Sequence, residues 1–203
     1  AVSRVSASRP AWLVVLAGGV AALQVGKLPP ALPALQAELG LTLVQSGFLL
    51  SMVQLAGMSL AVFMGLLADG MGLKRSMVRG LCLLALASGL GGFATSVKAL
   101  LALRAVEGLG FLLVALPAPA LIRRLVSPAQ LPGMLGVWGA YMPTGTALAL
   151  VVSSLVSTER AALTSVPLLL VPQMLLAGAL VRHSFVARHQ ALLQGRRVPW
   201  EFA

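Results

Sequence analysis

The chain has 203 residues, 59% of them hydrophobic and 10% charged, and a formal net charge of +10. Soluble domains carry about a quarter charged residues, so this composition, with a mean hydropathy of +0.96, excludes an ordinary water-soluble domain. Aromatics amount to 5%, and the apolar mass is Leu, Ala, Val and Gly, a mixture suited to helices packing closely in lipid.

The basic excess does not read as a nucleic-acid surface, which would cluster its bases on a hydrophilic face. Here the bases fall in short gaps between apolar runs, the pattern that orients a membrane protein. A hydrocarbon core of about 30 Å takes about 20 helical residues to cross. Six runs approach or exceed that length: Ala11–Leu32, Val44–Ala68, Gly80–Val97, Ala99–Ile122, Leu131–Val156 and Ala161–Val181. The expected organisation is a cytoplasmic segment 1–10, an all-α membrane domain 11–181 with six spans, and a basic cytoplasmic tail 182–203. The sixth span is interrupted by Pro167 and Pro172, and the tail ends near Trp200 and Phe202.

Arg4 and Arg9 precede the first span, and Lys27 is its one charge, with Gln24 sharing its face. From Trp12 to Lys27 is fifteen residues. That is a rise of about 22 Å, which leaves roughly 8 Å to the outer boundary. The second span has no charge but carries Gly47, Ser51, Gln54, Met58, Ala61 and Gly65 at alternating steps of four and three, giving one small, mildly polar stripe. Ser51 and Gln54, with Gln24, are the candidates for lining water or solute; Gly47, Ala61 and Gly65 read as packing positions.

Between the second and third spans stands GLLADGMGLKRSM, residues 65–77. Gly72 permits a tight turn that a residue with a Cβ resists, and Gly65 allows close helix approach. Asp69 can accept from a helix N-terminus or pair with a base, while Lys74 and Arg75 anchor the segment on the inner face. The stretch resembles the signature loop of the major facilitator superfamily, roughly G-x-L-A-D-R-x-G-R-K/R-x-x-L. Gly65, Leu67, Ala68, Asp69, Gly72 and Lys74 match in register; Gly70 and Leu73 stand where that family usually has bases. The resemblance implies a conformational loop in which Asp69 locks one state by contacting the other half of the transporter. It also implies a six-helix half of 3+3 inverted repeats, with the solute site between two halves near the midplane.

The third span holds Cys82, a packing residue. The fourth contains Arg104 and Glu107, which meet on one helix face at i and i+3. Its RAVEGLG is similar to the family's fourth-helix motif through Arg104, Gly108 and Gly110. In the fifth, GVWGAYMPTG is similar to a Gly/Pro-rich family motif through Gly136, Gly139, Pro143 and Gly145, without the Gly-Pro pair itself. These glycines read as helix-packing or gating positions.

Arg104 lies five residues past Ala99, about 8 Å from the outer boundary, so Lys27 and Arg104 sit at similar depth. An ionisable side chain within a bilayer marks a functional site by default. Three readings stay open: Arg104 and Glu107 neutralise each other while Lys27 snorkels outward; both cations face a cavity and bind an anion; or Glu107 titrates in a proton relay with Arg104.

With the N-terminus inside, eleven bases lie in the inner segments and only Lys98 and Arg160 in the outer ones. Both termini are therefore expected in the cytoplasm, in the inner membrane of a bacterium. No metal cluster is expected, since His183 and His189 lie in the tail, and no nucleophile, nucleotide loop or cofactor motif supports an enzyme. The expected function is a secondary transporter of a small solute, or the N-terminal half of one. Its partners would be the bilayer and a second six-helix half or second copy. The alternative is a non-transporting remnant or assembly partner.

Overall fold

The computed structural model describes residues 9–154 and Leu175. Among these residues every regular element is an α-helix: α1 Arg9–Gly26, α2 Leu28–Leu39, α3 Leu43–Met71, α4 Leu73–Gly91, α5 Val97–Ala115, α6 Ala118–Leu125, α7 Leu131–Gly139 and α8 Tyr141–Ser154. They form five helical runs. Four of them, Arg9–Leu39, Leu43–Met71, Val97–Leu125 and Leu131–Val152, are long and apolar enough to cross a membrane.

Three runs expected as single helices are broken, each at a position with a chemical cause. α1 gives way to α2 at Lys27 because Pro29 and Pro30 follow in the first turn of α2. Neither proline has an N–H, so the carbonyls one turn earlier lose their helical donors. The run also continues past the expected Leu32, as far as Leu39, and closes on Gly40 in the left-handed region at φ 63°. α5 and α6 part at Leu116–Pro117, and α7 and α8 part at Ala140, with Pro143 in the first turn of α8.

α3 starts on a capping box in which the Thr42 hydroxyl accepts from Gln45 N and the Gln45 side chain accepts from Thr42 N. Gln36 Nε2 donates to Ser46 Oγ at 2.9 Å, joining α2 to α3 across that turn.

The segment expected as a loop over 65–77 is almost wholly helical. α3 runs to Met71, α4 begins at Leu73, and Gly72 alone leaves the helical conformation, at φ 84°. A residue with a Cβ is disfavoured in such a sparsely populated region by about 1–3 kcal/mol. The third span is correspondingly displaced: it was expected at Gly80–Val97, but the helix is Leu73–Gly91. Hydropathy alone placed the run too late. Gly91 and Gly92 end the helix, and Ser96 then caps α5 by accepting from Ala99 N.

Lys74, Arg75 and Arg79 therefore ride on the first two turns of α4 instead of anchoring a loop. Cations at a helix N-terminus oppose the macrodipole by a few tenths to about 1 kcal/mol each. Helix stability does not account for them, whereas orientation in the membrane does.

The core lies where α1, α4 and α5 meet. Val14, Ala17 and Ala21 of α1 pack with Met77, Leu81 and Leu84 of α4 and with Phe111 and Val114 of α5, closed below by Ile122 and Trp138. α5 packs chiefly on α4 and α3, and α1 on α8. The sixth expected span, Ala161–Val181, and the tail 182–203 lie outside the described residues.

Candidate functional site

The break after α1 sets Lys27 against α5. Its Nζ donates to Glu107 Oε1 at 2.7 Å and to Ser88 Oγ of α4 at 2.5 Å. Ser88 Oγ in turn donates to Gln24 Oε1 at 3.0 Å. Arg104 Nη1 pairs with Glu107 Oε2 and also donates to the Gln24 backbone oxygen at 2.9 Å, while its Nε reaches the Leu49 carbonyl at 3.3 Å. Five side chains, from α1, the break at Lys27, α4 and α5, and a carbonyl from α3 thus form one buried network. Gln24, Ser88, Arg104 and Glu107 are each at most 4% exposed, and the Lys27 side chain is 14% exposed.

This arrangement bears on one of the three open readings, keeping its Arg104–Glu107 pair but not its outward Lys27. Lys27 does not snorkel to the outer surface; it turns inward, because a carboxylate and a hydroxyl lie within its reach. Each Glu107 oxygen takes a different basic side chain, so one carboxylate is shared between two formal cations. Two donors, Arg104 Nη2 and Gln24 Nε2, are buried without a hydrogen-bond partner among the described residues. A buried orphan donor costs about 1–3 kcal/mol, and more on a charged group.

The other expected site residues lie elsewhere. On α3, Gly47, Gln54 and Met58 are exposed, and Ser51, Ala61 and Gly65 are partly so; the face α3 buries carries Leu49, Val53 and Ala68. Ser51 Oγ donates to its own helix at Gly47 O, 2.8 Å away. Ser51 and Gln54 make no contribution to the cluster, and a Cβ at Gly47 or Gly65 would meet nothing within 4 Å. The close approach expected at Gly65 is therefore absent among the described residues.

Asp69 is exposed, and no side chain caps α4. Lys74 is half-buried and Arg75 exposed.

The remaining glycines divide. A Cβ at Gly108 would lie 3.0 Å from Ala56 Cβ, one at Gly110 3.0 Å from the Gly80 carbonyl, and one at Gly145 2.5 Å from the Gly19 carbonyl. Among the described residues nothing lies within 4 Å of a Cβ at Gly136 or Gly139; Pro143 is exposed.

Ser88 is the member that sequence reasoning missed. Its signal was present: it is a polar residue near the middle of an uncharged apolar run. No set of three metal-ligating side chains is grouped among the described residues.

The model of the Major Facilitator Superfamily matches residues 14–198. The chain belongs to the major facilitator superfamily. A comparison with curated proteins gives no match. Major facilitator proteins are membrane transporters, and the apolar helices make this chain an integral membrane protein. The family match covers every described member of the charged network and extends past residue 181, into the stretch read from sequence as a tail.

Proposed function

We propose that this protein is a secondary transporter moving a small anionic solute by alternating access, with Lys27 and Arg104 as the solute's main electrostatic contacts. The observation that carries the reading is the charge imbalance of the buried cluster: two cations share one carboxylate, and Arg104 Nη2 and Gln24 Nε2 have no partner among the described residues. A buried cation is stable only when paired and hydrogen-bonded. A bound anion would supply the second negative charge and acceptors for both donors. Within the family plan a second six-helix half, or a second copy, would complete the site.

Glu107 has a part in the cycle as well. It competes with the solute for the same cations, so solute binding and Lys27–Glu107 pairing exclude each other in part. That competition lets α1 shift relative to α5 when the solute arrives or leaves, about the break at Lys27. The base count supports cytoplasmic termini.

The test is uptake of labelled organic and inorganic anions into vesicles reconstituted with the complete transporter. Charge-assisted hydrogen bonds contribute about 1.5–3 kcal/mol, so Lys27→Gln and Arg104→Gln should each raise the half-saturating concentration by roughly tenfold or more. Wild-type affinity in both variants would make the cluster structural.

A further inference from the structure

Between α1 and the broken fifth run lies a half-open apolar cavity of about 280 Å³. Gly19, Val20 and Leu23 wall it on one side and Tyr141, Thr144 and Leu148 on the other. The Thr144 hydroxyl is turned back on its own helix, donating to Ala140 O at 2.6 Å, so it offers the cavity little beyond its methyl. Tyr141 is held as a rigid wall by stacking: its ring centre is 4.2 Å from that of Trp138 and 6.5 Å from that of Phe111.

The cavity and the charged cluster are neighbours along α1. Lys27 follows Leu23 by one turn of α1, and its N–H still donates to the Leu23 carbonyl at 3.0 Å, so the turn geometry persists to that point. Glu107 precedes Phe111, which stacks on Tyr141, by one turn of α5. Residues four apart lie on one helix face, about 6 Å from each other. An apolar compartment with an aromatic wall therefore lies one helical turn along the chain from a buried cluster of two basic side chains and one carboxylate.

Resting on the anion reading above, we infer that the solute is an amphipathic organic anion: a carboxylate-class head taken by Lys27 and Arg104, and an aromatic or short alkyl body seated in the cavity between α1 and α8. The size fits, because a dry cavity of about 150 Å³ already takes benzene. The chemistry fits as well. A small hydrophilic anion would leave the apolar compartment unfilled, and a neutral apolar molecule would leave the cationic surplus unanswered.

The test is binding of labelled 4-phenylbutyrate to the purified full-length protein, competed with 4-phenylbutanol and with acetate. The acid should bind about tenfold or more tightly than either competitor, tenfold corresponding to about 1.4 kcal/mol. Gly19→Leu fills the cavity from a position where a Cβ meets nothing within 4 Å, and it should abolish the preference over acetate. Leu148→Trp fills it from the opposite wall and should do the same, with melting temperature recorded for both. Lys27→Gln should abolish the preference over the alcohol.

If acetate competes as well as the acid and both filling variants leave the ratio unchanged, the cavity is not a subsite, while the anion reading stands. If the alcohol competes as well as the acid and Lys27→Gln is without effect, the anion reading fails and this inference with it. Failure of all three probes to bind at millimolar concentration overturns the inference.

Discussion

Glu107→Gln should destabilise the folded protein more than any other single change in the charged cluster. The substitution keeps the side chain's size and removes the negative charge to which Lys27 Nζ and Arg104 Nη1 are both bound. Breaking a buried ion pair by removing one partner costs about 3–5 kcal/mol, because the remaining charge is left uncompensated. Here two cations are left, at 14% and 3% side-chain exposure. For a chain of this size that is a fall in melting temperature of roughly 10 °C. Adding Lys27→Met in the same molecule should recover part of the loss, since one of the two orphaned cations is then gone. Wild-type melting of Glu107→Gln would show that the carboxylate is not the counter-ion of this cluster.

The second large effect is steric, and it separates glycines that look alike in sequence. A Cβ at Gly80 would lie 2.7 Å from the Gly110 carbonyl and 2.9 Å from Leu113 Cβ, where α4 meets α5. At Gly145 it would lie 2.5 Å from both the Gly19 carbonyl and Ala22 Cβ, where α8 meets α1. In each case a backbone oxygen stands in the way, and a backbone cannot rotate aside as a side chain can. Gly80→Val and Gly145→Val should force the helices apart at about 1–3 kcal/mol or more each. Gly136→Ala and Gly139→Ala meet nothing within 4 Å among the described residues. They should be neutral or stabilising by up to about 1 kcal/mol, through helix propensity. Thermal melting in detergent measures all four. Equal losses at the four sites would mean that the contacts between these helices do not decide their stability.

Much of the fold was legible because the signals are local. Apolar length placed four of the five described helical runs, the glycine at position 72 marked the turn between α3 and α4, and the spacing of Arg104 and Glu107 put both on one face. Depth counting along two separate helices also brought Lys27 and Arg104 to one level, although it could not say which way Lys27 turns. That depends on Ser88 and Glu107, which are 61 and 80 residues further along the chain.

The α3 stripe could not be assigned to a face from sequence, for a physical reason. Lipid is as apolar as a protein core, so hydropathy does not tell an inward face from an outward one. Met58, Val62, Phe63 and Leu66 are exposed on α3 while Leu49 and Val53 are buried, with similar side chains on both sides. The third span was displaced for a related reason: averaging hydropathy over Gly80–Val97 passes over the glycine pair that ends α4 and the serine that starts α5. The breaks at Lys27 and Leu116–Pro117 have a proline in or just after them, yet a proline in a membrane helix does not always break it.

Charge selectivity of uptake tests the central claim most directly. Vesicles containing the complete transporter would be offered labelled 4-phenylbutyrate and, separately, 4-phenylbutylamine, which has the same apolar body and the opposite charge. A cluster with two cations and one carboxylate predicts saturable uptake of the acid, weakened about tenfold by Lys27→Gln, and none of the amine above protein-free vesicles. Saturable uptake of the amine, unchanged by Lys27→Gln, would contradict the account.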